Sequence, residues 1–331
     1  MTVAPIRLIG TGLAVAMAIA NVSAFGQDKV TLGTNWKAQA EHGGWYQAVA
    51  NGTFAKHGLD VTIRPGGPQV NNAQLLAGGR LDFNVGSALF STFNFVKEKI
   101  PMVTVAAFFQ KDPQCLVAHP GQGNDTIAQL KGKPILISTG ARTTYWQFLK
   151  VVHGFQDEQI RPYTFNMAPF LADKSTVQQC YVTSEPFKIE KEGGFKPVVH
   201  LLADSGYDTY SQTIETSAKN VRDNPSLVQR FIDASIQGWA SYLTGDPTPG
   251  NLLIKKDNPD MTDEQIAYSL KTMKAIGIVD SGDAKTLGIG AMTDARVRSF
   301  FDKTVKAGMY PADLQIRDGY TLQVVNKKVG M

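Results

Sequence analysis

The sequence predicts an α/β protein of two lobes, each a mostly parallel sheet flanked by helices. Three observations carry this. Strand-like and helix-like stretches alternate over residues 27–111 and again over 112–205. The strand over 81–85 is a near-continuous apolar run, as a sheet covered on both faces requires. The 331 residues are enough for two domains of ordinary size.

The elements follow in order. Residues 1–26 read as an export signal. Arg7 is followed by an uncharged apolar run over 8–20, too short for a membrane span of about 20 residues, and then by small residues at Val22-Ser23-Ala24 and Ala24-Phe25-Gly26. No cysteine follows that run to take a lipid anchor. Val30 and Leu32 begin the first strand, which leads into a polar and aromatic loop over residues 35–39. A helix opening near Glu41-His42-Gly43-Gly44 carries Trp45, Val49 and Phe54 inward and ends at Gly58, a natural left-handed cap. A strand over 59–63, a helix over 71–77 and a strand over 81–85 come next. Gly86-Ser87-Ala88 reads as an exit turn before a helix reaching Lys97, and residues 103–109 form another strand.

Residues 112–205 repeat the pattern, with strands at 116–118, 134–137, 180–182 and 198–202. The exit loop Ser138-Thr139-Gly140 feeds a helix over 142–152, and Ser184-Glu185-Pro186 starts another with proline in its first turn. Residues 206–331 return to helix. Asn224-Pro225 starts one, Thr262-Asp263-Glu264-Gln265 is a capping box for a second, and Thr293-Asp294 opens a third. This tail is expected to pack back on the first lobe. Lobe 1 is then 27–111 plus 206–331 and lobe 2 is 112–205, inserted. Two crossings, near Lys111 and at 204–210, would form the hinge.

Composition excludes several functions. The net charge of +4 is spread without a dense basic stripe, which argues against nucleic-acid binding. The five histidines form no HExxH motif and have no ligand-spaced cysteine or carboxylate, so no metal site is expected. There is no GxSxG elbow and no dinucleotide fingerprint, and no catalytic residue or cofactor is assigned. Export lowers the prior for an enzyme further. Cys115 and Cys180 fall in one predicted lobe and read equally as a disulfide or as two buried small hydrophobes.

What remains points to a small-molecule ligand. In open α/β sheets ligands bind beyond the carboxyl ends of strands. Asn35, Trp36, His42, Trp45, Tyr46 and Tyr181 sit there and could grip a flat ring, although Trp45 also reads as a core residue. Glu185, at a helix start past a buried strand, is either a helix-start acid or an acceptor for ligand N–H groups. Thr139, Gly140, Thr143 and Thr144 bracket a strand-to-helix turn able to hold an anionic group, and Gly86-Ser87 would face them across a cleft.

The stretch from Asn35-Trp36 through His42-Gly43-Gly44-Trp45-Tyr46 to Lys56-His57-Gly58-Leu59-Asp60-Val61 resembles the opening of periplasmic substrate-binding proteins of ABC importers. The branch is the one that includes thiamine-pyrimidine-precursor, nitrate, sulfonate and taurine binders. The resemblance continues at residues 74–83, 130–133 and 181–186. It implies the type II periplasmic binding fold, a periplasmic and monomeric protein, and a membrane permease and ATPase as partners. It also supports an acid near Glu185 as the contact for a pyrimidine-like heterocycle, which is the favoured ligand. Sulfonate, nitrate and organic carboxylate anions are the alternative, and a free carboxylate in the cleft argues against them unless Arg142 or a lysine neutralises it. Two other classes stay open: a sensor subunit, and an enzyme like the family's pyrimidine synthases, which consume their own histidine and a pyridoxal cofactor.

Overall fold

The computed structural model describes residues 1–2, 26–68 and 70–329, and the expected export signal lies almost wholly outside them. Among the described residues there are ten strands: β1 Asp28–Gly33, β2 Leu59–Arg64, β3 Phe83–Ala88, β4 Met102–Phe109, β5 Gln114–Ala118, β6 Ile135–Ile137, β7 Ile160–Pro162, β8 Val177–Tyr181, β9 Val198–Leu201 and β10 Ser211–Ser217. They form two five-stranded sheets of the same pattern, β2-β1-β3-β10-β4 and β7-β6-β8-β5-β9. In each sheet four strands run one way and one runs against them. The reversed strand is β10 in the first sheet and β5 in the second. Both are the strands delivered by a chain crossing from the other sheet, so the sheets are mixed.

Two of these strands depart from the expectation. β10 lies where the sequence reads as a return to helix. Its residues Ser-Gln-Thr-Ile-Glu-Thr-Ser are polar apart from Ile214, yet all but the last are buried. Hydrogen bonds satisfy much of that polarity: Ser211 Oγ donates to the Ser87 carbonyl at 2.7 Å, Thr216 Oγ1 donates to the Asp82 carbonyl at 2.7 Å, and Asn84 Nδ2 donates to Glu215 Oε2 at 2.8 Å. Pairing with β10 also carries β3 through Ala88, so Gly86 and Ser87 belong to a strand and not to an exit turn. Gly86 is required there, because a Cβ would lie 2.0 Å from Glu215 Oε1. The other strand, β7, is a three-residue edge strand ending in Pro162, too short and too exposed to leave a hydrophobic pattern.

The tail packs on both sheets. The helix Pro225–Thr244 lies against the helix Gly43–Ala50, and a Cβ at Gly43 or Gly44 would fall 2.0 Å from the Tyr242 ring or 2.2 Å from Trp239. The paired glycines therefore exist for close helix approach. The helix Asp263–Ala275 departs from the expected packing on the first lobe alone. Gln265 Nε2 donates to the Ser184 carbonyl at 3.3 Å, Tyr268 Oη to the Val182 carbonyl at 3.1 Å and Ser269 Oγ to the Thr183 carbonyl at 2.6 Å. Only half of the expected capping box forms: the Gln265 N–H donates to Thr262 Oγ1 at 3.1 Å, while the Gln265 side chain is drawn to the second sheet.

Phe90, Tyr145, Tyr207 and Phe300 belong to a buried aromatic cluster with residues from both sheets and the tail. Beside it the two crossings are tied by an ion pair, Lys111 to Asp204 at 3.2 Å. Cys115 and Cys180 stand opposite each other in β5 and β8 and form a disulfide across a Cα separation of 4.8 Å.

Candidate functional site

A cavity of about 680 Å³, counting its open mouth, lies between the carboxyl ends of the two sheets. Eight of the twelve sequence-predicted residues line it: Asn35, Trp36, His42, Ser87, Gly140, Thr144, Tyr181 and Glu185. The other four do not. Trp45 is fully buried against Phe108 and Trp239, with ring centroids 5.1 and 5.4 Å away, because its helix turns that face into the core. Tyr46 is also buried, and its hydroxyl donates to Asp257 Oδ2 at 2.8 Å. Thr139 and Thr143 fall outside the lining. Thr143 and Thr144 donate back to the Gly140 carbonyl at 3.4 and 3.3 Å, so these hydroxyls close their own turn.

The first wall comes from the loop after β1 and the 3₁₀ turn Ala40–His42. Asn35 links two candidates: its Nδ2 donates to Ser87 Oγ at 3.2 Å and its Oδ1 meets His42 Nε2 at 3.0 Å. Burial holds the His42 imidazole neutral by pushing its pKa down to about 3. Glu41, 1% exposed, is pushed up to about 7, chiefly by burial. The Thr183 hydroxyl and the backbone at Glu41 oppose this, Glu185 adds to it and Lys188 opposes it. Its Oε1 accepts a short hydrogen bond from Thr183 Oγ1, which comes from the opposite side of the cleft.

The second wall is built differently. Glu185 Oε1 accepts from Tyr163 Oη at 3.1 Å, and its Oε2 accepts from the Tyr181 N–H at 2.8 Å. Both oxygens are thus partnered within the protein, and burial still raises this carboxyl's pKa. Trp36 reaches across from the first wall. It lies parallel to Tyr163 at 6.2 Å, tilted 9°, and edge-on to Phe165 at 5.8 Å. Phe165 adopts φ +66°, a left-handed conformation that a non-glycine residue holds only when its surroundings enforce it.

Sequence reasoning missed Gln39, Glu41, Gln114, Ser138 and Gln179, which also line the cavity. Three of them carry buried side-chain atoms without a hydrogen-bond partner: Gln39 Nε2, Glu41 Oε2 and Gln114 Oε1. Leaving such a group unpaired costs roughly 1–3 kcal/mol. Gln178 and Gln212 also hold unpaired amides, but neither lines the cavity. What marks the site is that these three atoms, with His42 Nδ1, belong to residues lining one space. The available signal was polar residues inside apolar strands, Gln179 in β8 and Gln114 at the start of β5.

No lysine or arginine is among the described residues lining the cavity. Arg142, the cation considered for neutralising Glu185, is exposed and outside it. A pyridoxal cofactor held as a lysine Schiff base therefore does not fit this donor set. The remaining histidines are engaged elsewhere: His57 with Gln237 Oε1 at 3.3 Å, and His119, His153 and His200 with backbone carbonyls.

Known proteins with the same architecture are numerous. The alkanesulfonate-binding protein SsuA of Xanthomonas axonopodis pv. citri, solved with MOPS, superposes with a TM-score of 0.64 over 90% of this chain and 100% of its own, at 13% identity. The periplasmic nitrate-binding protein NrtA of Synechocystis gives 0.57 over 89% and 86%, also at 13%. These likenesses establish the periplasmic binding protein fold. In sequence, the riboflavin-binding protein RibY of Chloroflexus aurantiacus is 22% identical over 226 residues, which are 65% of this chain and 62% of RibY. Residues 39–248, well over half the chain and including the turn Ala40–His42, Glu185 and the disulfide, match the model of one family, and the protein belongs to it: NMT1/THI5 like.

Proposed function

We propose that this protein is the solute-binding component of an ABC import system, and that it captures a small planar heterocycle bearing N–H groups. The observation that carries the reading is the set of unpaired atoms on Gln39, Glu41 and Gln114 in a cavity with two buried carboxyls and no lysine or arginine among its described lining residues. A heterocycle with ring nitrogens and an amino group supplies the missing partners, and Trp36 supplies a flat apolar surface. A sulfonate or nitrate would enter beside Glu41 and Glu185 with no lysine or arginine among the described lining residues to meet it, since Lys188, which acts on both carboxyls, lies outside the lining. An amino-pyrimidine of the thiamine-precursor type is the favoured ligand. A flavin ring presents similar donors and acceptors, and the likeness to RibY favours it as the second choice.

In this reading residues 27–111 plus 206–331 and residues 112–205 are two lobes that close on the ligand about the crossings. The loaded protein docks on a membrane permease served by an ATPase, in the periplasm. No reaction is catalysed.

Thermal melts with an amino-pyrimidine, riboflavin, an alkanesulfonate and nitrate test the proposal. A ligand at 100 times its Kd stabilises by about 2.7 kcal/mol, a rise of roughly 2–4 °C or more. A rise with the pyrimidine or the flavin alone is expected. A rise with the anions alone would overturn the ligand class.

A further inference from the structure

Glu41 faces two ways. One oxygen, Oε1, holds Thr183 in the segment after β8, while the other, Oε2, is unpaired in the cavity. Thr183 is fully buried and does not line the cavity, so its hydroxyl serves the contact with Glu41 and not the ligand directly. The segment is held from behind as well. The carbonyls of Val182, Thr183 and Ser184 accept hydrogen bonds from Tyr268, Ser269 and Gln265 on a single tail helix. That helix also packs beside the 3₁₀ turn that carries Glu41.

We propose that the Glu41–Thr183 pair is a latch linking ligand recognition to lobe closure, with the helix Asp263–Ala275 as its backstop. The inference rests on the capture reading above. A ligand donor on Oε2 orients the Glu41 carboxyl and keeps Oε1 aimed at Thr183, so an occupied cavity favours the closed arrangement. An empty cavity lets the carboxyl turn away part of the time, so the pair still forms but holds the lobes less firmly. Glu41 thereby sets specificity and closure with one side chain, while Thr183 contributes to closure alone. A ligand of similar size with no N–H group for Oε2 is held weakly even when it stacks on Trp36, because it cannot set the latch.

The experiment reads closure directly. Fluorophores at the exposed positions Lys56 and Lys196 report the lobe separation by energy transfer, in the full chain, with and without amino-pyrimidine or riboflavin. Thr183→Val removes the hydroxyl at nearly constant volume. It is expected to lengthen the mean separation in the ligand-free chain and to weaken binding about tenfold, mostly through faster dissociation. Thr183→Ser restores both. Ser269→Ala, which loosens only the backstop, is expected to shift the separation in the same direction by less, and it serves if Thr183→Val fails to fold. An unchanged separation in the variants overturns the latch even if the wild type binds a ligand. Open variants combined with no binding by the wild type would keep the latch and overturn the ligand class instead.

Discussion

The two walls of the cavity hold similar residues and differ in how far those residues satisfy one another. The second wall satisfies more of its own groups: Glu185 has a hydroxyl on one oxygen and a backbone N–H on the other, and Gln179 Oε1 accepts from the Ser138 N–H at 2.6 Å and Tyr145 Oη at 3.2 Å, although Gln114 Oε1 at the start of β5 has no partner. The first wall leaves Gln39 Nε2 and Glu41 Oε2 unpaired. A carboxyl partnered on both oxygens provides shape, whereas one with an unpaired oxygen waits for a partner. The acid that the sequence singles out, Glu185, thus sits on the wall with less to offer a ligand, and its neighbour across the cleft has more.

The largest effect should come from breaking the support of the first wall. Gly44→Ala places a methyl about where Trp239 lies, against a helix–helix contact with no slack. We expect a loss of roughly 3 kcal/mol, read by urea denaturation, together with loss of any ligand-induced melting shift. A variant as stable as the parent would mean that the two helices separate easily and that the first wall is not fixed by the tail.

The next test sets the two carboxyls against each other. Glu41→Gln should weaken an N–H-bearing ligand by at least tenfold, about 1.4 kcal/mol. Glu185→Gln turns an amide towards two donors that it can no longer both satisfy. It should lower stability by about 1–3 kcal/mol while changing affinity by less than about threefold. Titration calorimetry and melts on the same two variants separate the roles, and a reversed result would return the ligand contact to Glu185.

The sequence was most informative where a residue's surroundings are local. Strand alternation, helix starts at Asn224 and Thr293, and the placement of Asn35, Trp36 and His42 beyond β1 all follow from neighbours in the chain. It failed where long-range packing decides. β10 is polar because its partners are the hydrogen-bonding groups of β3, a fact visible only once residues 130 apart are side by side. Gly43 and Gly44 read only as part of a helix opening, but their cause is Trp239 and Tyr242, about 200 residues downstream. Glu41 was in view as a helix-opening acid. That one oxygen is taken by Thr183 and the other by nothing could not be read from composition or spacing.

The smallest effect, and the one that sharpens the contrast furthest, is the pH dependence of stability. Burial pushes Glu41 and Glu215 from ordinary values near 4.5, and Asp112 from one near 3.8, up to about 7. A raised folded-state pKa means that the folded chain binds more protons than the unfolded one. The stabilisation is therefore fully present below about pH 4 and is lost as pH rises through about 7. Exposed acids such as Asp157 and Asp173 are shifted downward and act in the opposite sense, at lower pH and under strong solvent screening. The melting temperature should thus fall by a few degrees between pH 5 and pH 8, which is the range the buried acids cover. Glu215→Gln, at a residue that does not line the cavity, should flatten part of that slope and leave ligand affinity alone. Glu41→Gln should flatten another part and remove any pH dependence of binding with it. A melting temperature that rises over this interval would show that these carboxyls are ionised in the folded protein, and Glu41 would then meet its ligand as an anion, which selects for a cationic heterocycle over a neutral one.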